Sequence, residues 1–154
     1  MAPPFLIRLA AEADAPALQA LYRQCRSEAD WLPPLARQRA AEADFAADSA
    51  GELVLVAVAG DGAVAGLLAV WTADGFIHHL YVAPQWRRRG VAPQLLAALA
   101  QRVAPPWRLK CLCANRTALA FYARGGSRQL GAGIGGDGAY LELELPGGWV
   151  GSAG

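Results

Sequence analysis

Residues 87–92 read Arg87-Arg88-Arg89-Gly90-Val91-Ala92 and stand between an apolar strand pattern and the start of an amphipathic helix. Gly90 can adopt backbone angles closed to other residues, and the small Ala92 lets a ligand approach the main chain. The first N–H groups of a helix have no internal partners and carry partial positive charge, so such a turn suits a pyrophosphate. The consecutive arginines add charge-assisted contacts to phosphate oxygens. Pro93 fits the first helical turn and removes one N–H from the set. A solvated turn whose arginines face water has the same composition, so the loop alone leaves both readings open. It is not a Walker loop, since no Gly-Lys-Ser/Thr follows, and it lacks the three-glycine spacing of a dinucleotide site.

The elements that must hold this loop follow from periodicity. Phe5–Leu9 reads as an opening strand, and Asp14 is placed to cap a helix with Pro16 in its first turn. Leu18, Leu21, Tyr22 and Cys25 recur at i, i+3, i+4 and i+7, one buried helical face. The run Trp31-Leu32-Pro33-Pro34-Leu35 breaks that helix, and a second helix is expected over residues 37–47. Apolar strands at residues 52–59 and 63–72 flank the turn Gly60-Asp61-Gly62, and Phe76–Val82 follows Ala73-Asp74-Gly75, which makes an antiparallel meander.

After the arginine loop, Val91, Leu95, Leu99 and Val103 mark the core face of a helix that stops before Pro105-Pro106. A strand at residues 107–113 completes a βαβ unit with parallel strands. Asn115 can cap the next helix, which carries Ala118, Phe121 and Tyr122 on one face and ends at Gly125-Gly126. Strands at residues 127–134 and 139–145 join around Gly135-Gly136-Asp137-Gly138. The order ββββαβαββ, with early helices between the first two strands, predicts one α/β domain over residues 1–146. Its central mixed sheet has about six or seven strands flanked by about four helices, and residues 147–154 form a flexible tail.

Composition narrows the function classes. The 154-residue chain is 55% hydrophobic and 18% charged, which is a globular balance. A net charge of +1, from 14 basic and 13 acidic residues, argues against a general nucleic-acid surface. No apolar run is long enough to cross a bilayer, and no basic start with an apolar h-region opens the chain, so the cytoplasm is the expected location. Cys25, Cys111 and Cys113 are odd in number and lack a secretory context, so no disulfide framework is expected. Cys111 and Cys113 share one side of a strand, but the only histidines are His78 and His79. Without a second ligand pair, no metal site is expected, and the thiols read as buried packing groups.

The run Leu80-Tyr81-Val82-Ala83-Pro84-Gln85-Trp86-Arg87-Arg88-Arg89-Gly90-Val91-Ala92 resembles motif A of the GNAT acyltransferase superfamily. The loop pattern of that superfamily is Gln/Arg-x-x-Gly-x-Gly/Ala, and Arg87, Gly90 and Ala92 fill its fixed places. Downstream, Asn115-x-x-Ala118-x-x-Phe121-Tyr122-x-x-x-Gly126 resembles motif B, in the right order and on the expected element. The resemblance runs over residues 5–145. Ser127 departs from it, because relatives usually place an aromatic residue after the glycine, and the first half of the chain follows only the general outline.

The resemblance implies a GNAT-like fold and acetyl-CoA as cosubstrate. It implies that Leu80, Tyr81 and Val82 pair through their backbone with the pantetheine arm, as an added strand would. The amides of Arg88, Arg89, Gly90, Val91 and Ala92, with the Arg87 side chain, would hold the pyrophosphate, and Asn115 and Ala118 would open motif B beside the cofactor. Acetyl transfer to an amine needs one proton removed from the ammonium and one given to the leaving thiolate. Tyr122 matches the family tyrosine that donates to the thiolate, and a phenol of pKa about 10 suits that task. The alternative for Tyr122 is simple packing on the core.

His78 is the implied base and also a contact for the acceptor, since arylalkylamine N-acetyltransferases in this superfamily carry a histidine at the same offset from the loop. Strand alternation sets it on the face of Leu80 and Val82, with His79 on the opposite face as a structural residue. A packing role for His78 stands beside the catalytic one. The Val82 N–H is the implied oxyanion donor. Trp31 reads either as a wall for the acceptor or as a plug under a turn.

The expected function is direct N-acetylation of a primary amine of a small molecule, without nucleic-acid or membrane partners. A non-catalytic acyl-CoA sensor and a protein N-terminal or lysine acetyltransferase are the rivals, and a covalent route through Cys111 or Cys113 is disfavoured because direct transfer needs no such intermediate. Exposed sheet edges make a homodimer an expectation as well.

Overall fold

The strands form one seven-stranded sheet in the order β1-β2-β3-β4-β5-β7-β6. β1 (Phe5–Leu9), β2 (Leu53–Ala59), β3 (Val64–Trp71) and β4 (Phe76–Val82) pair antiparallel in sequence. α4 (Val91–Leu99) crosses from β4 to β5 (Trp107–Leu112), and these two strands are parallel. α5 (Arg116–Arg124) leads to the hairpin of β6 (Arg128–Gly135) and β7 (Gly138–Leu145). β7 inserts beside β5, which leaves β6 on the edge with Ile134 85% exposed. The computed structural model describes residues 5–148, so most of the expected flexible tail, residues 149–154, lies outside the described residues, as do residues 1–4. Among the described residues no helix is long and apolar enough to cross a membrane.

Two apolar layers hold the sheet. On one face α1 (Ala15–Ser27) brings Leu18, Leu21, Tyr22 and Cys25, its predicted stripe, onto Val56, Leu67 and Ala69. On the other face Val91, Leu95, Leu96 and Leu99 of α4 and Tyr122 of α5 pack on Leu55, Leu68, Val70, Ile77 and Trp107. Trp107 is fully buried, and its indole Nε1–H donates to the Val103 carbonyl at 2.9 Å. That bond satisfies the one polar atom of the ring inside an apolar layer.

Local expectations fail in three places. The second helix is not continuous: α2 (Pro34–Arg39) ends in a 3-10 turn, and a new helix, α3 (Phe45–Asp48), starts where the Asp44 side chain accepts from the Ala47 N–H. Asp14 does not cap α1. Its carboxylate takes the Arg8 guanidinium at 2.7 and 3.0 Å and the Ala11 N–H at 2.7 Å, tying β1 to the start of α1. α4 stops at Leu99, and Val103 reaches the core from the turn that follows.

Candidate active site

β4 and β5 are paired only at Phe76↔Arg108, and beyond that point the strands part. The Ala83 N–H donates to the Ala65 carbonyl on β3 at 2.8 Å. Alternation back along β4 therefore turns the backbone of Tyr81 toward Leu67 on β3 and the backbone of Leu80 and Val82 toward the gap. Tyr81 thus does not offer its main chain to the gap, a correction to its expected role, because strand geometry exposes only every second residue. Val82 offers its N–H alone. Its carbonyl already accepts from Arg87 Nε at 3.2 Å and from the Cys25 thiol at 3.4 Å.

The arginine loop follows a 3-10 turn at Pro84–Trp86. Arg88 has φ 62° and Gly90 φ 81°, so the chain passes twice through the left-handed region before α4 begins. For Arg88 that conformation costs about 1–2 kcal/mol, a strain of the sort found where a loop is shaped for a ligand. Among the described residues, the N–H groups of Arg88, Arg89, Gly90, Val91 and Ala92 donate to no carbonyl or side chain. The next available amide, Gln94 N–H, closes the helix onto the Gly90 carbonyl at 3.1 Å. Gly66 on β3 sets the height of this nest: a Cβ there would lie 2.7 Å from Val91 Cγ1.

The arginines divide their tasks. Arg87 folds back onto Val82 and reaches within 3.9 Å of Cys25 Sγ, and Arg89 lies over the Trp86 ring at 5.2 Å. The Arg88 side chain makes no hydrogen bond, ion pair or ring contact among the described residues. Arg87 and Arg89 thus brace the loop, and all three arginines remain exposed beside the amides.

Across the gap, Asn115 Oδ1 accepts from the Ala118 N–H at 3.2 Å and fixes the start of α5, which leaves the Asn115 amide nitrogen for a ligand. Tyr122 is buried on the inner face of α5, and burial pushes its hydroxyl pKa above the ordinary value, with Cys111 and Tyr81 adding to the shift. Burial likewise raises the Cys111 thiol to about 11. Neither that thiol nor Cys25, also raised by burial, is a ready nucleophile at neutral pH.

His78 lies on the other side of the sheet. The β3–β4 register slips between Ala69 and Val70, so Leu80 pairs with Leu68 and Ile77 with Val70, leaving His78 as the extra residue of a bulge. Ile77, not His78, joins Leu80 and Val82 on the α4 face, which overturns the face assigned by simple alternation. His78 projects on the α1 side beside Phe76, ring centroids 4.7 Å apart, over an open groove of about 500 Å³ shared with Trp71 and Lys110. Its Nδ1 meets Glu52 Oε1 at 2.7 Å, and the Glu52 side chain is only 3% exposed. A carboxylate there accepts the Nδ1–H hydrogen bond, which leaves Nε2 as the acceptor of the neutral ring. His79 also faces α1, packed among Tyr22, Phe45 and Tyr81, and burial lowers its pKa.

The Tyr81 side chain also packs on the α1 face, against Tyr22 and His79. Arg26 of α1 donates to its hydroxyl at 3.4 Å and reaches Asp137, in the β6–β7 turn, at 3.5 Å. A cavity of about 190 Å³ opens beside this pair, walled by Leu35, Ala36 and Arg39 of α2. Trp31 is half-buried and does not line that cavity, while the neighbouring Leu32 is the buried plug of the turn.

Glu52, Arg26, Asp137 and Gly66 were not legible as site residues. Glu52 is set apart in the sequence only as a carboxylate opening an apolar strand, and Arg26 and Asp137 belong to segments that meet only after the sheet closes.

The fold recurs among solved structures. The solution structure of apo-form YjaB from Escherichia coli superposes with a TM-score of 0.72 at 19% identity, covering 93% of this chain and 98% of that one. YncA from Salmonella typhimurium, a putative acetyltransferase solved with acetyl-CoA, gives 0.65 at 18% identity over 92% of this chain and 93% of its own. A phosphinothricin acetyltransferase from Sinorhizobium meliloti, in complex with acetyl-CoA, gives 0.64 at 22% identity over 94% and 89%. No curated protein sequence matches the chain. The family model of the GNAT acetyltransferases matches residues 12–126, from the turn before α1 to the glycine that ends α5, which takes in both the arginine loop and the Asn115 helix. The chain belongs to the GNAT family of acetyltransferases.

Proposed function

We propose that this protein transfers the acetyl group of acetyl-CoA directly to the primary amine of a small molecule. The observation that carries the reading is the run of unpaired amides from Arg88 to Ala92 at the mouth of the β4–β5 gap. The first amides of a helix have no internal acceptor, and with the left-handed turns at Arg88 and Gly90 they form a set that a pyrophosphate satisfies at once. The residues fit the cosubstrate further in: Leu80 and Val82 turn backbone groups into the gap, and Asn115 keeps a free amide beside it.

Acetyl-CoA supplies the acetyl group as a thioester; the chain supplies two proton handlers on opposite faces of the sheet. On the α1 side, His78 Nε2 takes the proton that the ammonium must lose, passed to it through water in its open groove, while Glu52 holds the ring. The nitrogen then bonds to the acetyl carbon and the carbon–sulfur bond breaks. On the α5 side, Tyr122 gives its proton to the departing sulfur. Its raised pKa keeps that proton in place throughout the neutral range. The Val82 N–H is the donor available to the developing oxyanion. The open β6 edge supports a homodimer, which sedimentation of the purified protein tests.

A panel of amines assayed by thiol release from acetyl-CoA tests the function. Turnover on at least one small amine is expected. Tight binding of acetyl-CoA with no turnover on any amine would replace the enzyme with a sensor.

A further inference from the structure

We propose that the cavity between α1, α2 and the β6–β7 turn binds a carboxylate carried by the acceptor itself, so that the preferred acceptors are small amino acids. The inference rests on the acetyl-transfer reading, because it names the acceptor of that same site.

Arg26 is a cation of this cavity's wall, in contact with both Tyr81 and Asp137. Its side chain is only 25% exposed, yet its polar contacts are long: 3.4 Å to the Tyr81 hydroxyl and 3.5 Å to Asp137. Charge-assisted N–H···O bonds run about 2.7–2.9 Å. The guanidinium is therefore held in place, stacked over the Tyr22 ring at 5.8 Å, without its fork of donors being filled. A planar carboxylate is the group that fills such a fork.

The walls agree with an anion. Arg39 adds a second cation, and the one carboxylate of the cavity, Asp137, already faces Arg26. A cationic acceptor would have to take Asp137 from Arg26 and leave that guanidinium half-buried beside it. At about 190 Å³ the space is smaller than the usual pocket for a drug-sized ligand, so it takes one compact end group and not a peptide. Leu35 and Ala36 offer an apolar wall to a short stem.

The direction is set by Tyr81. Its hydroxyl accepts from Arg26, and its place on β4 is between Leu80 and Val82, whose backbone groups face the gap. A carboxylate seated on Arg26 thus leads the amine a few bonds away toward the gap between β4 and β5.

The test pairs each acid with its neutral carboxamide: glycine, β-alanine, 4-aminobutyrate and leucine, assayed with acetyl-CoA. In at least one pair the acid is expected to exceed the amide in kcat/KM by about tenfold or more, the weight of a charged hydrogen bond. Arg26→Gln should remove that ratio through KM. Asp137→Asn, which frees the Arg26 fork and raises the positive charge of the cavity, should increase kcat/KM on the acid. A residue that merely supported the fold would lower both. Amides turned over as well as acids would overturn the carboxylate site and leave acetyl transfer intact. If no amine is turned over, acetyl transfer fails, and equilibrium titration decides the site: leucine and leucinamide against the CoA-saturated protein. Tighter binding of leucine, lost in Arg26→Gln, upholds the carboxylate site; equal binding overturns it.

Discussion

Glu52 Oε1 stands 2.7 Å from His78 Nδ1, and almost none of the Glu52 side chain reaches solvent. The pair joins the first residue before β2 to the bulged residue of β4, across the strand between them. If Glu52 positions the imidazole, Glu52→Ala lowers kcat by about 10–100-fold, as loss of a histidine's orienting partner does at other sites. Glu52→Gln recovers most of the rate, since its amide oxygen still accepts from Nδ1–H. Equal losses in the two variants, with unchanged melting curves, would remove the positioning role.

His78→Ala should cost about 10²-fold or more in kcat/KM at pH 7. The defect should shrink toward high pH, where the acceptor amine loses its proton without help. A pH–rate profile parallel to that of the unmodified enzyme counts against His78 as the base.

For Tyr122 the raised pKa fixes the sign. The phenol stays protonated up to and beyond its ordinary value of about 10, so its ionisation does not reduce kcat on the alkaline side below that point. Tyr122→Phe lowers kcat by about 10²–10⁴-fold while acetyl-CoA binding is retained. Titration calorimetry and steady-state rates separate the two effects.

Gly66→Ala tests the amide nest from behind. The new methyl would press on Val91 Cγ1 and on the Tyr81 carbonyl, so α4 must shift at its first turn. Overpacking of this kind costs about 1–3 kcal/mol of stability, and the affinity for acetyl-CoA should fall as the first turn of α4 is displaced. Unchanged affinity would show that the nest does not depend on the seating of α4.

Stability in acid should carry the mark of Asp14. Arg8, and then the Ala11 N–H, hold its carboxyl at about 2. A depressed folded-state pKa stabilises above the unfolded value of about 3.9. That contribution fades as pH falls from there toward 2. Asp14→Asn should lower Tm by roughly 2–4 °C at pH 7, with the difference from the parent shrinking by pH 2, as read by thermal scans.

Much of the frame is readable in the chain because local signals and tertiary packing agree there. The stripe Leu18, Leu21, Tyr22 and Cys25 and the bounds of β1 and β4 need no distant partner to be recognised. The arginine loop is recognisable for the same reason: glycine and a helix start are local facts. What escaped depends on contacts far apart in sequence. The His78 bulge arises from the register with β3, which strand alternation alone cannot supply. The break of the second helix at Ala43 was hidden because its residues are good helix formers, while the Asp44 cap and the seating of Phe45 under His79 decide otherwise. The Arg26–Asp137 contact exists only because β7 enters beside β5 and swings the hairpin turn over α1.

The single pairing of Phe76 with Arg108 also divides the sheet into two blocks, β1 to β4 and β5 with β7 and β6. Few ladder bonds cross that seam, so it is where amide hydrogen exchange should report opening at less than the global free energy. A ligand lying between β4 and β5 bridges both blocks and binds only while they are aligned. Its affinity then adds to the cohesion of the sheet as RT ln(1 + [L]/Kd), and exchange at the strand ends beside the gap should slow most. The cosubstrate acts in this sense as a missing strand, and the protein is less one cooperative unit before it binds than after.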